Sequence, residues 1–213
     1  MQLASVKYTG ERTLTSPRHK MNSNFEKIHQ VISSYIDISD EEWSVYSSML
    51  RIKEFKKKDI ILAEGSACKE VFFVNNGLLR VYFVDNIGEE KTFHFSLENT
   101  FATDYKSLLK GIPSNYSIQA IEDTQVIIMS DEMIKAGYEK LRNGEKLGRL
   151  LAEDYFFMFN DKIQSIYTEQ PLDRYTNLNH SFPNIFQRVP QHLIASYLNI
   201  SSVHLSRLKN AGK

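Results

Sequence analysis

Near the C-terminal end, the side chains able to donate hydrogen bonds collect on one face of a helical repeat. Ser201, Ser202, His204, Ser206, Arg207, Lys209 and Asn210 supply hydroxyl, imidazole, guanidinium, ammonium and amide groups, and no carboxylate stands among them. Donors of these kinds bond phosphate oxygens and base edges, so the chemistry they suit is recognition of a polyanion such as duplex DNA. Other chemistry is scarce. His94 is alone in the β-rich middle of the chain, with no His-x-His partner, so metal ligation fails on count. Cys68 is the single cysteine, which excludes an intramolecular disulfide, a cysteine zinc knuckle and a four-thiolate cluster. There is no Gly-x-Ser-x-Gly elbow, phosphate-cradling glycine loop or Gly-x-Gly-x-x-Gly, so the expectation is a protein that is not an enzyme and needs no metal or cofactor.

The elements that must position those donors are legible nearby. Pro190 starts a helix whose inward side is Leu193, Ile194 and Leu198; Asn199 suits a left-handed turn; Ser201 or Ser202 caps a second helix with Leu205 and Leu208 inside. Two helices crossing this closely want a small residue four positions before the turn, and Ala195 supplies it, giving a helix-turn-helix. Charge follows the same division. The 26 basic and 26 acidic residues cancel, which argues against a uniformly basic binder, yet residues 171–213 carry five basic side chains and one acidic. Residues 21–170 carry 17 basic and 24 acidic, an acidic body with a basic end.

Upstream, residues 1–20 mix Ser, Thr, Gly, Pro and basic residues without periodicity and are expected to be a disordered tail or an upstream extension before Met21. Phe25, Ile28, Ile32 and Tyr35 recur at helical spacing, and Ser39-Asp-Glu-Glu reads as a capping box opening a second helix through Leu50. Between Ile52 and Met129, short β-rich runs begin at Ile60, Val71, Leu78, Lys91, Tyr116 and Gln125. Turn signals at Glu64-Gly65, Asn76-Gly77 and Asp85 to Gly88 separate them, with Asn76-Gly77 predicted to make a hairpin. The period returns to 3.6 for one long helix over Gly144 to Thr168, and Pro171 marks its end. Its block Tyr155-Phe-Phe-Met-Phe is apolar nearly all round and must be covered on two sides, by the β-rich domain and by a second copy; the predicted dimer interface is Leu147, Leu151, Tyr155, Met158 and Phe159. The fold class expected is α+β. It comprises an antiparallel β-roll (double-stranded β-helix) flanked by helices over 21–143, a dimerisation helix and hinge over 144–170, and a small helix-turn-helix domain over 171–213 with little or no wing. No run is long and apolar enough to cross a bilayer and the N-terminus lacks a signal-peptide core, so a cytoplasmic protein without membrane partners is expected.

The order of these parts, with Glu64-Gly65, Asn76-Gly77-Leu-Leu-Arg-Val-Tyr, Phe186-Gln-Arg-Val-Pro-Gln and Leu205-Ser-Arg, resembles the Crp/Fnr transcription regulators over about residues 25–213. The resemblance implies a cyclic-nucleotide-binding-like β-roll, a homodimer seamed by the long helix, and a near-palindromic double-stranded DNA site read by Ser201, Ser202, His204, Ser206, Arg207 and Lys209. It also implies an effector pocket, here Arg80, Phe101, Ala102, Thr103, Asp104, Ser114, Asn115 and Tyr116, for a small molecule whose identity the residues leave open. Members that bind cyclic AMP carry a Gly-Glu pair and an Arg in this stretch, and residues 101–117 have neither, so cyclic AMP is not expected to be the effector. Val203 stands where many relatives carry an acidic residue, and with so little chain after the helix it keeps an alternative open: a ligand-sensing or protein-interaction module whose helix-turn-helix no longer binds DNA specifically.

Overall fold

A computed structural model describes residues 23–211; the tail expected at residues 1–20, and Lys213, lie outside the described residues. The chain opens with helices α1, Glu26–Tyr35, and α2, Asp40–Ser47. Both halves of the expected capping box form: the Glu42 N–H donates to Ser39 Oγ at 3.2 Å and the Ser39 N–H donates to Glu42 Oε2 at 3.0 Å. Ile28, Ile32, Trp43 and Tyr46 then turn inward.

Eight strands follow: β1 Arg51–Phe55, β2 Ile60–Leu62, β3 Glu70–Asn76, β4 Leu79–Val84, β5 Glu90–Ser96, β6 Phe101–Ala102, β7 Ser117–Ala120 and β8 Thr124–Ser130. They form two antiparallel four-stranded sheets, ordered β1-β8-β3-β6 and β2-β7-β4-β5. Phe72, Val74 and Ile128 from one sheet meet Leu79, Val81 and Ile118 from the other, so the roll is filled by its own side chains. Asp85 to Gly88 closes the β4–β5 hairpin as expected. Asn76-Gly77 makes no hairpin, because β3 and β4 belong to different sheets. It is a corner between the sheets, where Gly77 takes φ +103° and a Cβ would stand 2.5 Å from the Thr124 side chain. Helix α3, Tyr105–Lys110, lies between β6 and β7 and starts at Asp104, whose carboxylate accepts the Ser107 N–H.

Helices α4, Asp131–Lys140, and α5, Gly144–Thr168, pack side by side at very short range. A Cβ on Gly144 would overlap the Gly137 carbonyl, and one on Gly148 would meet the Tyr138 ring at 2.5 Å, so glycine at both positions sets the approach. The long helix has the bounds expected, but Pro171 does not stop it: α5 ends at Thr168 and Pro171 is in the first turn of α6, Pro171–Ser181. Then come α7 Ile185–Arg188, α8 Gln191–Tyr197 and α9 Ser202–Ala211. Their core residues Leu178, Phe182, Ile185, Leu193, Ile194 and Leu205 form one buried cluster with Leu78, Phe95 and Ile121 of the roll, so the C-terminal helices share a core with the β-rich body. Among the described residues no helix is long and apolar enough to cross a membrane.

Candidate nucleic-acid interface and effector cavity

The turn between α8 and α9 is built by the residues expected to build it. Ala195 is buried at the crossing and its carbonyl accepts the Ile200 N–H at 3.0 Å; Asn199 takes φ +54°; Ser201 is the cap, its Oγ accepting the His204 N–H at 3.1 Å. The Arg174 guanidinium clamps the turn from α6 by donating to the Leu198 carbonyl at 3.2 and 3.3 Å and to the Glu169 carbonyl at 2.6 Å. Leu205 points into the core, which turns Ser202, His204, Ser206 and Arg207 outward; all four are exposed, as is Ser201, and Lys209 is half-buried. Val203 is exposed on the same helix. No carboxylate lies on α9, so beside Val203 its exposed side chains are donors and positive charge.

The back of the same module is fastened to the roll. Arg188 donates to Glu98 at 3.0 and 2.8 Å and also pairs with Glu122, which pushes its pKa up. Ser196 closes on the open edge of β5, accepting the Thr92 N–H at 2.8 Å and donating to the Glu90 carbonyl at 3.4 Å. Lys162 reaches from α5 into the same joint: its ammonium donates to the Phe93 carbonyl and sits 3.8 Å from the centre of the Tyr197 ring. Burial lowers its pKa to about 7, against the pull of the ring and carbonyl, which favour the cation.

The residues expected to form an effector pocket divide into three places. Phe101, Ala102, Thr103, Asp104 and Tyr116 line a cavity of about 710 Å³ between the roll, α3, α4 and α5. Ser114 and Asn115 stand behind it and are consumed by Asp104, whose buried carboxylate accepts from Ser114 Oγ at 2.8 Å and the Asn115 N–H at 3.3 Å. Arg80 is elsewhere. It is 1 % exposed on β4, donates from Nε to Thr92 Oγ1 at 2.9 Å, pairs with Glu90 and lies against the Tyr82 ring, with Nη2 unpartnered among the described residues. Lys106 and Lys110, the cations within the stretch, are both exposed. The stretch compared with a phosphate-binding segment thus presents a buried anion rather than a cation.

A family model for the cyclic nucleotide-binding domain matches residues 52–140. FixK2 from Bradyrhizobium japonicum is similar in structure with TM-score 0.67 and 15% identity, over 76% of this chain and 83% of that one. A mutant of CooA from Carboxydothermus hydrogenoformans reaches 0.62 with 18% identity over 90% and 84%. A protein described as a transcriptional regulator of the Crp/Fnr family, from Eubacterium rectale, reaches 0.64 with 18% identity over 84% and 87%. The chain has the Crp/Fnr fold. No curated protein matches the sequence.

Within the Crp/Fnr fold, the face of α5 that is free differs from the one expected. Leu147 and Leu151 join the core beneath α1 and α4. Tyr155 is spent on the roll, its hydroxyl accepting the Phe101 N–H and donating to the Phe101 carbonyl at 2.7 Å each, and Phe159 stacks on Phe93. Met158 is half-buried. The exposed residues are Phe156, Phe157, Ile163 and Tyr167, the last 84 % exposed. Phe156, Asn160, Ile163 and Tyr167 recur in the alternating steps of four and three residues of a coiled-coil seam. The block around Tyr155 is apolar on every side, so spacing alone could not say which side β5 would take. Arg188, Lys162 and His94 were missed as functional candidates: Arg188 lies in the Phe186-Gln-Arg-Val-Pro-Gln run that carries the resemblance but was given no role of its own, no motif marks Lys162, and His94 was weighed only as a metal ligand.

Proposed function

We propose that the protein is a dimeric, DNA-binding transcription regulator. The observation that carries this reading is the acid-free exposed face of α9, held outward by the buried Leu205 and capped by Ser201. In a two-fold dimer the paired α9 helices would enter successive major grooves about 34 Å apart, so the target is a near-palindrome. Arg207 suits a guanine or phosphate contact, because its guanidinium makes two parallel hydrogen bonds, and exposed Val203 suits a thymine methyl. The dimer seam is the exposed row Phe156, Ile163 and Tyr167 with Phe157 beside it. The buried Asp104 carboxylate supports a regulator that does not take cyclic AMP, since a cyclic phosphate there would meet an anion.

Arg207→Ala tests the reading. It is expected to weaken DNA binding by roughly 1–3 kcal/mol and to relax selectivity at one position of each half-site if the contact is to a base. An even loss with a shallower salt dependence would place it on phosphate, and an unchanged affinity would reject α9 as the DNA-contacting helix. Phe157→Glu, measured by light scattering, is expected to give a monomer; a dimer that persists rejects the seam.

A further inference from the structure

The cavity between the roll and α5 has a chemistry of its own. Its volume of about 710 Å³ falls in the range of ~300–1,000 Å³ usual for small-molecule sites. Its wall is mostly apolar and includes Phe93, Phe101, Leu147, Leu151 and Phe159. Charged groups stand only at its edge or are already engaged: Arg149 pairs with Glu153 at 2.7 Å, Lys106 is exposed, and Asp104 is bonded by Ser107, Ser114 and Asn115. One polar side chain in the wall is different. His94 is 5 % exposed, lines the cavity, and its ring makes no hydrogen bond to any other described residue. It is held by the rings of Tyr155, Phe159 and Phe182, with centroids 6.4, 5.4 and 5.6 Å away. Burial, helped by the nearby Lys162, lowers its pKa to about 3, so at neutral pH it is an uncharged imidazole with one N–H to give and one lone pair to receive. The ring thus offers the cavity a hydrogen-bonding group that no other described side chain uses, and a ligand that pairs it gains that bond.

We propose that this cavity binds an uncharged, largely apolar small molecule carrying a hydroxyl group that hydrogen-bonds to His94. A hydroxyl fits either tautomer, because it both donates and accepts. The proposal deepens the regulator reading by naming the class of effector. His94 also touches Phe182, which belongs to the core of the C-terminal helices, so occupancy would be felt at the joint between roll and DNA-binding module.

The test uses the full chain and no DNA, so that it fails independently of the DNA-binding reading. The probes are 2-naphthol and naphthalene, which differ by the hydroxyl alone, with binding followed by fluorescence and calorimetry at pH 7. Saturable binding of 2-naphthol is expected, about fivefold to tenfold tighter than naphthalene, as one net hydrogen bond allows. His94→Phe, which keeps the ring packing, is expected to abolish that preference while retaining the binding of both. Absence of saturable binding by wild type, equal binding of the two probes, or a preference that survives His94→Phe would overturn the proposal. Displacement of 2-naphthol by cyclic AMP would overturn the uncharged class. Should His94→Phe not fold, Ala152→Phe on α5 fills the cavity from its helical wall and is expected to abolish 2-naphthol binding; undiminished binding would show that the cavity is not the site.

Discussion

Strand β5 is packed on one side by the α8–α9 module and on the other by α5, and the two contacts differ in kind. Toward the module, Phe95 is fully buried in a cluster that runs from Leu78 to Leu205, and Arg188 and Ser196 bind the edges. Toward α5, the strand faces a cavity of about 710 Å³, a histidine without a hydrogen bond and a helix that leaves Phe156 and Tyr167 exposed. A close-packed, cross-linked joint resists being opened, whereas a hollow one can be filled. The difference locates the adjustable part of the molecule on the α5 side and makes the helix-turn-helix a module carried by the roll rather than tethered to it. His94 and Lys162 are the residues that touch both sides.

The sharpest way to break this contrast is to remove the filler of the closed joint. Phe95→Ala is expected to cost about 3–5 kcal/mol in urea unfolding, with loss of the transition for the C-terminal helices and the roll together. Separate transitions, with the roll unaffected, would show that the shared core does not couple them. Arg188→Ala is expected to cost less, about 1–3 kcal/mol, because Glu98 and Glu122 are left facing each other only partly exposed.

Two pH windows sharpen the other side. His94 has its folded pKa lowered from 6.5 to about 3, so between these values the unfolded chain binds the extra proton. Stability from this group is therefore complete above about pH 6.5 and falls on acidification toward pH 3, and the difference between wild type and His94→Phe should track that window. Lys162 has its folded pKa lowered from 10.5 to about 7 by burial, so its cost is fully present below pH 7 and is relieved as the pH rises toward 10.5. Lys162→Met should be stabilising near neutral pH, with the gain shrinking at pH 9 and above. A gain constant across pH would mean that Lys162 is charged in the folded protein throughout.

The contrast also shows what a sequence can and cannot disclose. Period and capping gave the elements: Ser39 with Glu42, the long helix from Gly144, and the Ala195, Asn199 and Ser201 turn all depend on neighbours within a few residues. Position in space did not follow from such local rules. Asn76-Gly77 has hairpin chemistry, yet β3 pairs with β8, some fifty residues away, and with β6 rather than β4, and the local signal became a corner. Strand β1, Arg-Ile-Lys-Glu-Phe, is an edge strand whose charged residues weaken its β pattern, and it was not read as one. Leu147, Leu151, Tyr155 and Phe159, expected at a seam on α5, pack within the chain, because an all-apolar block has no face until β5 chooses one. Arg80 was grouped with the effector pocket on its charge, and the alternation of β4 puts it outside the roll, against Glu90 and Thr92.

A regulator of this kind needs α9 to read DNA in a two-fold pair. The direct measurement is selection from a randomised duplex pool by the purified full-length protein at low salt, followed by sequencing. Enrichment of a near-palindrome with half-sites about one helical turn apart, lost when Arg207→Ala is selected in parallel, is the outcome expected. A pool that enriches no two-fold sequence, with wild type and Arg207→Ala retaining the same residual affinity, would contradict it.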